Sequence, residues 1–280
     1  AKGCSDMNNA ALRRPHFRNP PIFEQVISFA FDRIDDFEAV DFGQFYEQIK
    51  EEFPVSTMVE RHNVTSEIFE GQDVRMSMEL TPNISLPRVL FKRADGGETI
   101  QLQDDFFAFN WVKTPEGGVY PRFEMTSNRL WHLFAEFRQF VFSRHGIEIA
   151  PVQTEITNVN IIPVEDFGGD WKDIADVFVV DPFNWEVPGL IAETYVRQRM
   201  HRIVDTFGIP LGRLHSYISP VVGPTGERAF KFELTARSMR SAYSDAQLTE
   251  FLETGHNMIN GAFMASIQPK MKTLWEAFDG

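Results

Sequence analysis

The sequence predicts an α+β protein with antiparallel sheets and long helices packed on one face, arranged as two meander-plus-helix halves. Three observations predict it. Short runs of two-residue alternation follow one another with turn residues between them. Two long stretches carry their apolar residues at helical spacing instead. Hairpin signals outnumber the helical crossovers that a parallel sheet requires.

Taken in order, residues 1–18 read as a flexible basic arm. Lys2, Arg13, Arg14 and Arg18 stand against Asp6 with no apolar period, so the arm is expected to be disordered or docked on a partner. Asn19-Pro20-Pro21 stops any helix, because proline fixes its own φ and restricts the residue before it. A strand over 22–31 follows. A short helix is expected over 41–52, where Phe42, Phe45, Tyr46 and Ile49 recur every three or four residues and Asp41 serves as N-cap. Strands are expected over 55–60 and 73–80. In the second, Val74, Met76, Met78 and Leu80 alternate with Arg75, Ser77 and Glu79.

Segments 88–93 and 99–102 flank Asp95-Gly96-Gly97, whose residues tolerate positive φ, and so form a hairpin. The strand at 105–113 begins a stretch crowded with Phe106, Phe107, Phe109, Trp111 and Tyr120. A helix over 125–145 comes next, striped by Leu130, Phe134, Phe137 and Val141 and stopped by Gly146. A strand covers 152–162. Glycine and proline break up residues 163–189, which places a boundary between an N-terminal half, 19–165, and a C-terminal half, 166–280. Within 190–207, Tyr195, Val196, Met200, Ile203, Val204 and Phe207 fit a helix better than a strand. Strands over 214–222 and 228–237 form a hairpin. A helix starting at Asp245 and a short one starting at Pro269 end the chain.

Composition excludes several classes. The 280 residues include 27 Phe, so aromatic packing should dominate the core. Cys4 is the one cysteine, which rules out an intrachain disulfide and points to a reducing, cytoplasmic setting. No apolar run approaches the roughly 20 residues that span a bilayer, and the N-terminus lacks an apolar signal core, so no membrane association is expected. A net charge of −13 argues against a general phosphate-backbone binder. The charge is nevertheless segregated. Residues 24–60 hold ten acids, with Arg33 and Lys50 as the bases. Residues 190–240 hold eight bases against four acids, a local balance of +4. Such a face either pairs with the acidic region or forms a local anion or nucleic-acid contact, for which arginine forks are suited.

Several stretches together resemble a known group. They are Asn19-Pro-Pro-Ile-Phe-Glu24, Phe107-Ala-Phe-Asn-Trp111, Tyr120-Pro-Arg122 and Thr154-Glu-Ile-Thr-Asn-Val-Asn-Ile-Ile162. Phe232-Glu-Leu-Thr-Ala-Arg237 and Gly255-His256 with Phe263, Met271 and Trp275 complete the set. In this order they are similar to a sporadically distributed, uncharacterised prokaryotic protein family, over about residues 19–278. The resemblance transfers no activity or catalytic residues. Its patchy occurrence is like that of genes in antiviral defence or toxin–antitoxin neighbourhoods. The chain departs from the family at Asn158-Val-Asn160 and at 190–207, where the family reads as strand.

Candidate site residues are therefore chosen singly. Glu24 opens a strand, where a carboxylate faces a cleft or is solvated or ion-paired. Arg122 opens a helix against its dipole, which calls for a specific partner: an anion, or Glu124 or Glu155. Tyr120 and Trp111 flank it. His256 sits on the apolar side of a helix, where it is a packed residue unless a nucleophile or carboxylate stands beside it. Arg197, Arg199, Arg202 and Arg237 represent the basic segment. Glu60 and His62 have strand spacing without a third ligand, so no metal site is expected. No cofactor motif occurs. The expectation is a non-enzymatic binding or accessory protein that engages a protein partner or self-associates. The alternative is a nucleic-acid-binding effector or enzyme built from Arg122, Glu24, His256 and the 190–240 arginines.

Overall fold

Alternating apolar strands need partners on both edges, and here they combine into a nine-stranded sheet with the order β3-β4-β5-β6-β2-β7-β10-β9-β8. It is seen in a computed structural model that describes residues 15–67, 69, 86–115, 119–180 and 195–279. The expected strand at 73–80 and most of the basic arm lie outside the described residues.

The strands are β1 (Pro15–Phe17), β2 (Ile22–Phe31), β3 (Val55–Val59), β4 (Arg88–Lys92), β5 (Glu98–Leu102) and β6 (Phe106–Val112). They continue with β7 (Pro151–Pro163), β8 (Arg197–Val204), β9 (Pro210–Val222), β10 (Arg228–Ser238) and β11 (Ala277–Asp279). The helices are α1 (Ala39–Ile49), α2 (Phe123–His145), α3 (Asp245–Ser266) and α4 (Pro269–Leu274). Every pairing in the large sheet is antiparallel. Strand β7 pairs with both β2 and β10, so one sheet runs through the two expected halves.

Phenylalanine fills the space between helix and sheet. Phe29 and Phe107 face each other across β2 and β6, and both pack on Phe134 of α2 at 4.9 and 5.5 Å between ring centroids. Helix α3 comes close to the sheet because Gly255 has no side chain. A Cβ there would lie 3.0 Å from Ala236 Cβ and 3.2 Å from Ile156 Cγ2. Among the described residues, no helix is long and apolar enough to cross a membrane.

Three local expectations need correction. Residues 197–204 form a strand, not a helix. Met200 and Val204 are exposed and only Ile203 is buried, so the apolar residues make no packed stripe, and the backbone of β9 supplies the partner instead. Glu38, not Asp41, is the N-cap of α1. Asp41 sits at the third helical position, completes a capping box through the Glu38 N–H at 2.7 Å, and is ion-paired with Arg144. The end of the basic arm is ordered: β1 pairs with β11, and Phe17 packs edge-on against Phe263 and Trp275.

Candidate functional site

Five separated stretches meet around a half-open cavity of about 320 Å³. Phe17 to Ile22 forms one wall and Val119 to Glu124 another. Asn158, Asn160 and Leu234 make the floor, and α3 closes the side with His256, Ile259, Asn260, Phe263 and Met264. The chain ends matter here. Pairing of β1 with β11, together with hydrogen bonds from the Arg18 and Asn19 N–H groups to the carbonyls of Glu276 and Trp275, holds the first wall in place.

The floor is polar because β2 and β7 place amides in register. Gln25 and Asn158 are opposite each other, and the Gln25 amide donates to Asn158 Oδ1 at 2.8 Å and to Tyr120 Oη at 2.7 Å. Thr126 of α2 donates to Gln25 Oε1. This buried network is well partnered, as buried polar groups must be, and it fixes the orientation of Tyr120 and Asn158. Burial pushes the Tyr120 hydroxyl pKa well above its usual value, against the smaller opposing effect of the Gln25 hydrogen bond. Tyr120 therefore keeps its proton and remains a donor. Asn158 is 7% exposed, and its amino group has no partner among the described residues. Asn160 donates to the Phe232 carbonyl at 3.1 Å.

Arg122 sits at the mouth in an unusual conformation. Its φ of 68° and ψ of 153° lie in a region that glycine alone adopts readily, a strain of about 1–3 kcal/mol. Strain of this kind is retained where the surroundings over-determine it, which is common at functional sites. As N-cap of the 23-residue α2, Arg122 supplies no capping side chain. Its guanidinium is exposed and has no hydrogen bond or ion pair among the described residues. Glu155, one of the two expected partners, pairs with Arg237 instead.

His256 is half-buried. Its ring stacks on Phe123 at 4.3 Å and 9°, and Asn260 Nδ2 is 3.0 Å from its Nε2. Of the candidates, Arg122, Tyr120 and His256 thus share the cavity, with Trp111 packed edge-on behind Tyr120 at 5.3 Å. Glu24 does not share it. Being adjacent to Gln25 on a strand, it points to the opposite sheet face, where Asn110 donates to it at 2.6 Å.

That opposite face holds Arg202, Arg213 and Arg237 of the basic segment, whereas Arg197 and Arg199 alternate to the cavity-side face. Arg213 and Arg237 donate to Glu67 at 2.6 and 2.9 Å, His215 Nε2 is 2.6 Å from the same carboxylate, and Arg237 also bonds Glu155. Burial opposes ionisation of Glu67, but the hydrogen bonds from His215 and Arg213 and the charge of Arg237 outweigh it and hold its pKa at about 2. Arg197 donates to the Val179 carbonyl, and Arg202 lies over the Phe69 ring. The acids that bind these arginines come mainly from outside 24–60. Arg240 with Asp32 is an instance of the expected pairing. Glu60 and His62 fall beyond the end of β3, so strand spacing does not apply to them. Among the described residues, no group of three or more His, Cys, Asp or Glu is arranged to hold a metal.

The residues that sequence reasoning missed are Gln25, Asn158 and Asn160. The Asn158-Val-Asn160 spacing was the available signal, since two amides on one strand face are unusual in a buried strand. No family model, curated protein or solved structure matches the chain.

Proposed function

We propose that the protein is a non-enzymatic binding protein that engages its partner through the cavity between β1, the start of α2 and α3. The observation that carries this reading is the convergence of Tyr120, Arg122, Asn158 and His256 on one half-open space. Its volume and its mix of apolar wall with a few polar groups suit a small ligand or the end of a polypeptide. His256 supports binding rather than catalysis, because it is engaged by an aromatic face and an amide. The reading takes α2 and α3 to lie on the same sheet face. Support comes from the row Ile27, Ile156 and Ala236, which lies under Gly255, and from the Phe29 contact with α2. Membership of the prokaryotic family and a defence or toxin–antitoxin setting belong to this proposal through the resemblance alone. A protein partner or a second copy is its expected counterpart.

The test is a fragment screen read by methyl NMR. Hits should shift Ile22, Leu234, Ile259 and Met264, and the shifts should vanish in Ile259→Trp. Hits that map elsewhere, or none, would sink the cavity as the binding site.

A second reading has one specific observation in its favour. Arg199, His201 and Arg202 are exposed on β8, an edge strand among the described residues. A nucleic-acid contact there would weaken with salt and disappear on changing Arg197, Arg199 and Arg202 together. Absence of binding at low salt ends that reading.

A further inference from the structure

We infer that the cavity recognises a carboxylate carried on an apolar body. This rests on the reading of the cavity as a binding site and specifies what it binds.

The polar groups around the space are predominantly donors. Arg122 presents a guanidinium at the mouth that has no partner among the described residues. Helix α2 begins there with no capping side chain, so the positive end of a 23-residue dipole faces the same wall. Independently of the helix, Asn158 is 7% exposed and lines the cavity. Its Oδ1 is occupied by Gln25. Its amino group is left to donate into the space. Tyr120 accepts from Gln25, and burial keeps it protonated, so its own O–H is also available. A neutral ligand would leave this set of donors poorly matched. An anion matches it.

One feature favours a carboxylate over a phosphate. Glu124 lines the same cavity and the chain carries −13, so a dianion meets more repulsion than a monoanion. The rest of the ligand must be apolar, because Ile22, Leu234, Ile259, Phe263 and Met264 line the remaining space. A free organic acid and the C-terminus of a polypeptide share this chemistry.

The strained backbone of Arg122 fits the assignment. A glycine at this position would relieve the conformation, so the arginine is retained at a cost to stability. Recognition of a carboxylate gives that side chain a use which the described residues do not.

The test is calorimetric titration of the full chain with phenylacetate, phenylacetamide and phenyl phosphate. Phenylacetate should bind about tenfold or more tightly than the amide, as expected for charge-assisted bonds. The preference should disappear in Arg122→Gln, whose position is exposed and outside the core. It should also disappear in Asn158→Asp, which keeps the bond from Gln25 but replaces the donor by an acceptor. Short peptides ending in phenylalanine, with free or amidated C-termini, identify the source. Tighter binding of the free peptide than of phenylacetate assigns the site to a chain end, and the reverse assigns it to a free acid. Equal affinity for phenylacetate and phenylacetamide overturns the carboxylate while leaving the cavity as a binding site. Tighter binding of phenyl phosphate overturns it in favour of phosphate. Failure of phenylacetate where fragment hits still map to the cavity overturns it as well.

Discussion

The cavity at the start of α2 and the charged cluster on the opposite sheet face use similar residues to opposite ends. In the cluster, Arg213, Arg237 and His215 converge on Glu67, and Arg237 Nε also donates to Glu155. Its charges are mutually satisfied. In the cavity, Arg122 and the Asn158 amino group are left without partners among the described residues, and the backbone at Arg122 is strained. The first arrangement anchors Glu67 to the sheet. The second leaves binding capacity unused by the fold. An arginine therefore carries functional meaning only together with its partners, which net charge along a sequence does not reveal.

The largest expected effect lies in the cluster. Arg237→Ala leaves Glu155 without its arginine and Glu67 with Arg213 and His215 alone, and losing these two charge-assisted, part-buried bonds destabilises by roughly 3–5 kcal/mol. Urea denaturation should show the loss in the midpoint. A variant within about 0.5 kcal/mol of the parent would show that the cluster anchors nothing.

Next comes the pH dependence of the same cluster. The folded pKa of Glu67, about 2, lies below its ordinary value of 4.5. Its stabilisation is therefore complete above pH 4.5 and is lost as the pH falls toward 2. The shift corresponds to a contribution on the order of 3 kcal/mol at neutral pH. Glu67→Gln should flatten the acid limb of a thermal-melt series over that window. An unchanged acid limb would show that other carboxylates set it.

The smallest effect has the opposite sign. Arg122→Gly relieves a conformation that non-glycine residues avoid, and should raise stability by about 1 kcal/mol despite the added freedom of the unfolded chain. The same substitution should abolish phenylacetate binding. Stability gained with binding lost would separate the two regions cleanly, whereas a destabilised variant would mean that the arginine side chain supports the fold.

Much of the architecture is legible from local pattern. The strand at Ile22–Phe31, the hairpin around Gly96, the helix ending at Gly146 and the capped helix at Asp245 all appear close to their expected places. Each carries a periodicity or a turn residue that needs no distant partner to be read. Residues 197–204 were misread because apolar residues on an edge strand are not confined to one buried face, so their spacing imitates a helix. The candidate site was legible in part. Tyr120, Arg122 and His256 stood out by unusual placement, whereas Glu24 was one residue out of phase with Gln25, which holds Tyr120 and Asn158 behind the cavity. Strand alternation was visible, but which face would meet α3 was not.

By itself, the sequence determined most of the element types, the aromatic core and the oddity of an arginine opening the principal helix, since each depends on short-range sterics and on apolar period. The tertiary structure decided which arginines are neutralised and which amide is left open. Those outcomes depend on contacts between residues more than a hundred positions apart, such as Gln25 with Asn158 and Arg213 with Glu67, and no local rule encodes such pairings.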